Sequence, residues 1–145
     1  MSTDLEWLLL RNNNSFMVKR VEEGPIFSKE PANLRNIHSH KYSGLANEKT
    51  IEVRDTESGI QLITRKKGTS RHAAHAGSAT STIRPRSGGR RALGITAKLA
   101  KRGYRPDLRQ AALARVSAVL AAQKEKKPTP PNKIRGKKAK GFGLA

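Results

Sequence analysis

Thr50-Ile51-Glu52-Val53-Arg54 and Ile60-Gln61-Leu62-Ile63-Thr64 flank the polar stretch Asp55-Thr56-Glu57-Ser58-Gly59. Ile51 and Val53 alternate with charged residues, and Ile60 and Leu62 sit on either side of Gln61. A period of two with Gly at the end of a polar turn predicts a β-hairpin with one buried face. A buried sheet face needs a cover, so the surrounding chain must supply helices or further strands.

Upstream, Thr3 and Glu6 have capping-box spacing ahead of Trp7-Leu8-Leu9-Leu10, which predicts a short helix over about 4–10. Asn12-Asn13-Asn14 ends it, because Asn side chains compete for backbone hydrogen bonds. Ser15 to Arg20 reads as a strand, Glu23-Gly24-Pro25 as a turn and Ile26-Phe27-Ser28 as a second short strand. Residues 31–49 read as irregular chain crossing one sheet face. Residues 1–64 thus form a small α+β globular head.

Downstream of Thr64 the composition changes. Residues 1–64 hold 8 basic and 9 acidic side chains, a net of −1, whereas residues 65–145 hold 22 and 2, a net of +20. Leu, Ile, Val and Phe make up 17 of the first 64 residues but 12 of the last 81. Such a segment cannot collapse by itself, so the expected fold class is α+β, a mixed helix and β-hairpin head followed by a basic extension. Residues 65–103 read as a basic linker with a helix near 90–102, and 68–89 carry no expected fold of their own. Residues 104–127 read as an Ala-rich basic helix, with Pro106 at its first position and Asp107 at the positive end of its dipole. Leu108, Ala112, Val116 and Val119 form an apolar stripe on it, with Arg109 near the edge. Pro128, Pro130 and Pro131 close the helix, and 128–145 is expected to be a disordered basic tail.

The residues exclude much chemistry. Cysteine is absent among the 145 residues, so there are no disulfides, thiolate metal sites or Cys nucleophile. No Gly-x-Ser-x-Gly elbow, Gly-x-x-x-x-Gly-Lys phosphate loop or Rossmann glycine pattern occurs, so no enzyme and no cofactor are expected. His38-x-His40 and His72-x-x-His75 are close pairs without the third and fourth ligands zinc requires, so no metal is expected. The apolar run Trp7 to Leu10 is far short of a membrane span and of a signal-peptide core. A soluble intracellular protein is expected, and the glycosylation pattern Asn13-Asn14-Ser15 then has no secretory route to act in.

The net charge of +19 calls for a polyanion, and phosphates bound by Lys and Arg release condensed counterions. The extension holds 11 Arg and 11 Lys, a mixture suited to both bidentate and point-charge phosphate contacts. Candidate contacts are Arg65, Lys66, Lys67, Arg71, Arg84, Arg86, Arg90, Arg91, Lys98, Lys101, Arg102, Arg105, Arg109, Arg115, Lys137, Lys138 and Lys140. No helix-turn-helix, zinc-finger or zipper pattern offers a helix for a DNA major groove, so structured RNA is favoured.

Three stretches then carry a resemblance. They are Leu5-Glu6-Trp7 through Leu10-Arg11-Asn12-Asn13-Asn14-Ser15-Phe16 to Lys19-Arg20; Phe27-Ser28-Lys29-Glu30-Pro31-Ala32-Asn33-Leu34 with Tyr42-Ser43-Gly44-Leu45 and Lys49-Thr50; and Tyr104-Arg105-Pro106-Asp107-Leu108-Arg109 with Ala111 to Leu120. In this order they resemble the eukaryotic-type family of large-subunit ribosomal protein number twenty-eight. The resemblance implies a non-catalytic structural constituent of the cytosolic 60S subunit that binds and stabilises large-subunit rRNA and supports translation. It also implies neighbouring ribosomal proteins as partners and assembly in the nucleolus, and the expectation excludes a membrane, a small-molecule substrate or a homo-oligomer. Alternatives are a chromatin or general nucleic-acid-binding protein, a protein–protein adaptor acting through the head, and a nucleolar assembly factor that shares the head. That factor carries head cysteines and a long acidic tail, and both are missing here.

Overall fold

A computed structural model describes residues 2–70, 73, 75–101, 103–125 and 127–130. The predicted hairpin is its centre. Strand β3 (Ile51–Thr56) pairs antiparallel with β4 (Gly59–Arg65), with Val53 opposite Leu62 and Thr56 opposite Gly59. The polar connection is tighter than the five residues expected. Gly59 adopts φ +117°, and a Cβ there would lie 2.1 Å from the Ile83 carbonyl oxygen, so only glycine fits.

The other edge of β4 takes a third strand, β5 (Ser78–Ile83), placing Ile83 opposite Ile60 and Thr80 opposite Ile63. Within 68–89, where no independent fold is expected, residues 78–83 are a strand that takes its order from β4. Ser, Thr and Ala make poor cores but acceptable edge strands, and pairing satisfies an otherwise open edge of β4. The boundary expected after Thr64 falls inside β4, so the change in composition is not a structural boundary.

Alternation puts Ile51, Val53, Ile60, Leu62 and Ile83 on one sheet face, and all five are buried. Two helices cover that face. Helix α1 (Thr3–Leu10) lies elsewhere; the cover is α2 (Gly89–Lys101) and α3 (Arg109–Gln123), which pack on each other, with α3 also against β3. Ala92, Leu108, Ala111, Ala112 and Val116 join Leu34 and the strand residues in one core. The expected stripe is therefore buried at Leu108, Ala112 and Val116 and half-buried at Val119, with Arg109 exposed. The extension is not held in place by charge alone. Its average composition hides two helical faces of small residues, and Ala against a sheet allows close packing with little bulk. The helix expected from Pro106 begins as a 3-10 turn, Pro106–Leu108, and the expected stretch 90–102 is occupied by α2.

The N-terminal part is smaller. Helix α1 is capped by Ser2, whose Oγ accepts from the Asp4 amide, one residue before the expected cap at Thr3. None of its residues is buried. The Trp7 ring lies 4.9 Å from that of His38 and 5.7 Å from that of His40, and a His38 ring nitrogen lies 2.8 Å from the Arg11 carbonyl oxygen. Strands β1 (Met17–Val18) and β2 (Phe27–Ser28) pair, and Ile37 bridges to Phe27.

Residues 31–49 are irregular, as expected, yet firmly tied. The buried Glu30 carboxylate accepts from Asn33 Nδ2 and Ser43 Oγ, each at 3.0 Å. Asn33 Nδ2 also donates to the Ile37 carbonyl at 2.8 Å, and the Ser43 hydroxyl accepts from the Ala46 amide. Gly44 lies so close to the Pro31 carbonyl oxygen that a Cβ would sit 2.1 Å from it. Polar side chains replace the missing backbone ladders around Glu30 and satisfy its buried carboxylate, whereas the buried Ser39 Oγ has no hydrogen-bond partner among the described residues.

Candidate nucleic-acid interface

The expected cations fall into groups set by the elements that carry them. Arg65 ends β4, and Lys66 and Lys67 follow it. With Glu48, Lys49, Gly68, Thr69 and Ser70 they line a hollow of about 460 Å³. Lys66 Nζ donates to the Ala76 carbonyl at 3.1 Å, while Lys67 is exposed beside Thr64, Leu99 and Tyr104. The end of β4 thereby adjoins the last turns of α2.

Arg84 precedes the 3-10 turn Pro85–Ser87, which contains Arg86, and α2 carries Arg90, Arg91 and Lys98. All five are exposed. Arg109 and Arg115 are exposed on α3, and Arg115 lines a hollow of about 410 Å³ with Leu34, Arg35, Lys41, Tyr42, Asp107 and Gln110. Lys101 ends α2. Arg71, Arg102, Lys137, Lys138 and Lys140 lie outside the described residues.

Arg105 is placed differently from the other described candidates. Its guanidinium turns inward, with the side chain 16% exposed. Nη1 donates to the Lys49 carbonyl at 3.0 Å and Nη2 to the Lys41 carbonyl at 2.9 Å. Nε and Nη2 also hold Asp107 in a bidentate pair at 2.9 and 2.7 Å. The hydrogen bond from Arg105 holds the Asp107 carboxyl below the usual carboxylate range, against the opposing effect of partial burial. This arginine joins the 41–49 loop to the start of α3.

Its neighbour Tyr104 makes a second tie. The amides of Thr50 and Arg65 donate to its hydroxyl oxygen at 3.2 and 2.9 Å, and the hydroxyl can donate to the Arg65 carbonyl at 2.6 Å or the Thr50 carbonyl at 3.2 Å. One phenol thus closes the end of the β3–β4 pair. Burial raises its pKa above the usual value, partly countered by the bonds from Arg65 and Thr50.

Sequence reasoning missed Arg35 and Lys41, which flank the Tyr42 ring at 5.7 and 5.6 Å from its centroid. Both belong to the nearly neutral first 64 residues, where averaged charge gave no signal. It also missed the apolar side of α1, where Leu8 and Leu9 are each 62% exposed and Leu5 47%. The face of the sheet away from the helices borders a hollow of about 530 Å³ that includes Glu52, Arg54, Gln61, Ile63, Thr80 and His75. Among the described residues, no cluster of three or more His, Asp or Glu could hold a metal, and no helix is long and apolar enough to cross a membrane.

A profile of the Ribosomal L28e protein family matches residues 5–122, a span that takes in every element from Leu5 of α1 nearly to the end of α3. The chain belongs to this family. Among its L28e relatives, the large ribosomal subunit protein eL28 of Schizosaccharomyces pombe is 34% identical over 129 residues, 88% of this chain and 96% of that protein. The protein of the same name from Dictyostelium discoideum is 35% identical over 127 residues, 88% of this chain and 92% of its own length. That of Caenorhabditis elegans is 40% identical over 65 residues, 45% and 52% of the two chains. The L28e match covers both the hairpin and the two covering helices, so the family unit includes strands and extension together.

Proposed function

We propose that this protein is a non-catalytic structural constituent of the large subunit of the cytosolic eukaryotic ribosome, assembled in the nucleolus, where its exposed cations bind folded rRNA. The observation that carries the reading is the likeness, over 88% of the chain, to proteins named large ribosomal subunit protein. The charge supports it, because a chain of net +19 attracts polyanions. Arg65, Lys66, Lys67, Arg84, Arg86, Arg90, Arg91, Lys98, Arg109 and Arg115 are the contacts favoured by position. Lys101, Arg71, Arg102, Lys137, Lys138 and Lys140 remain contacts on charge alone. Leu5, Leu8 and Leu9 are exposed on a helix bearing Asp4 and Glu6, and they suit a neighbouring ribosomal protein better than RNA.

A tagged copy expressed in a eukaryotic cell should sediment with 60S subunits and polysomes and be released by RNase but not by DNase. Migration away from those particles at low salt refutes the reading, and release by DNase alone replaces RNA with DNA as the partner. Affinity of the full chain for rRNA should fall with salt, log K dropping by roughly 0.7–0.9 per log unit of salt for each neutralised phosphate.

A further inference from the structure

Helix α2 contains a glycine for which the protein's own packing gives no reason. Gly94 lies in mid-helix, is exposed, and a Cβ built on it meets nothing within 4 Å. Gly88 and Gly103, on either side of α2, have φ of +68° and +74° and serve turns, whereas Gly94 is helical. Only proline is a poorer residue for a helix interior. Alanine would fit the free protein better.

The surroundings of Gly94 suggest what the glycine admits. At about 100° per residue, Arg90 and Lys98 lie about 40° to either side of it and Arg91 about 60° away. Arg90 and Lys98 are separated by about 12 Å along the axis. All three cations are exposed, while Ala92, Thr96 and Ala100 on the opposite side are buried. We propose that this face of α2 seats directly on the sugar–phosphate backbone of folded RNA, with Gly94 at the point of closest approach. Cations on both flanks bracket a strand, and the absent side chain lets the helix backbone come down between them. A protein partner would want an apolar anchor in this arc, and Arg90, Arg91, Gly94 and Lys98 supply none. The inference rests on the rRNA-binding reading and adds to it a position and a steric requirement.

The test uses the full-length chain and transcribed fragments tiling the large-subunit rRNA. Gly94→Ala and Gly94→Gln preserve charge and should both raise the melting temperature, by about 2–6 °C for the alanine. Gly94→Gln should nevertheless weaken binding to the best fragment by about tenfold, the effect of displacing a charge-assisted phosphate contact. Gly94→Ala should weaken it less, in the same direction. Opposite signs on stability and affinity are the expected result, since a merely structural residue moves both together. Binding of Gly94→Gln within twofold of wild type, while Arg90→Ala with Lys98→Ala loses affinity, overturns the inference and leaves the proposed function standing. If the wild-type chain binds no fragment, the proposed function falls and takes the inference with it. If Gly94→Gln binds naked RNA normally but fails to enter particles, a protein covers this face and the inference is wrong.

Discussion

Removing one oxygen atom from Tyr104 tests how the two unlike halves of this chain are joined. The hydroxyl can accept two hydrogen bonds and donate one, and it has the amides of Thr50 and Arg65 and the carbonyls of the same two residues within reach. Three bonds at about 0.5–1.5 kcal/mol each set an upper bound of about 4.5 kcal/mol. The site is only partly buried, so water can reach some of the freed groups, and Tyr104→Phe should cost about 1–2.5 kcal/mol. For a chain of this size that lowers the melting temperature by about 3–10 °C. Thermal and urea denaturation of the full-length protein measure it, with Tyr42→Phe as the control, since its ring packs against the core. The pH dependence gives a second reading. Burial raises the Tyr104 pKa in the folded state above its value of about 10 in the unfolded chain. The stability from the protonated phenol is therefore present in full below about pH 10 and is lost as pH rises through the folded pKa. Wild type should lose more stability than Tyr104→Phe across that window. A Tyr104→Phe protein within about 0.5 kcal/mol of wild type, with the same alkaline profile, refutes the claim that this hydroxyl ties the sheet to the α3 segment.

Arg105→Lys should destabilise by about 1–2 kcal/mol, because an ammonium cannot hold Asp107 in a bidentate pair and still reach the carbonyls of both Lys41 and Lys49. Denaturation in urea measures it, and the same protein should bind rRNA with an unchanged salt slope. Asp107 has a lowered folded pKa, so its contribution is present above its unfolded value and is lost as pH falls through the folded one; Asp107→Asn should remove that acid-side loss from a titration of stability. Glu30→Ala should cost about 2–4 kcal/mol, since it leaves buried donors of Asn33 and Ser43 without their acceptor, and hydrogen exchange should show the 28–47 loop opening first.

These ties explain which parts of the molecule could be read in advance. The hairpin was legible because alternation in Ile51, Val53, Ile60 and Leu62 reports a buried face directly. The apolar stripe of α3 was legible for the same reason at helical spacing, through Leu108, Ala112 and Val116. β5 was not, because Ser78-Ala79-Thr80-Ser81-Thr82 has the composition of a linker and buries only Ile83 after it. Its strand character comes from β4, which lies outside any local window. The roles of Tyr104 and Arg105 were hidden differently. Apart from Asp107, their partners are backbone atoms at Lys41, Lys49, Thr50 and Arg65, and backbone atoms leave no mark in a sequence. Within a run of arginines, nothing in the letters separates an inward guanidinium from an outward one.

The position of the change in composition matters to how such a basic chain folds. Cutting it after Thr64 would divide β4 and leave Ile51, Val53, Ile60 and Leu62 without the helices that cover them. It would equally leave Ala92, Ala112 and Val116 without a sheet. Neither half buries its apolar surface alone, so the folded core joins a nearly neutral segment to a segment of net +20. The core is where the two compositions meet, and exposed cations crowd the outer surface of α2 and the turn before it. Such crowding disfavours the compact state through self-repulsion. A phosphate polymer that binds only the folded form reverses that penalty by mass action, adding about 2.7 kcal/mol when present at a hundred times its dissociation constant. On the proposed function, RNA is a stabiliser of a fold the sequence already specifies, rather than the scaffold that creates it.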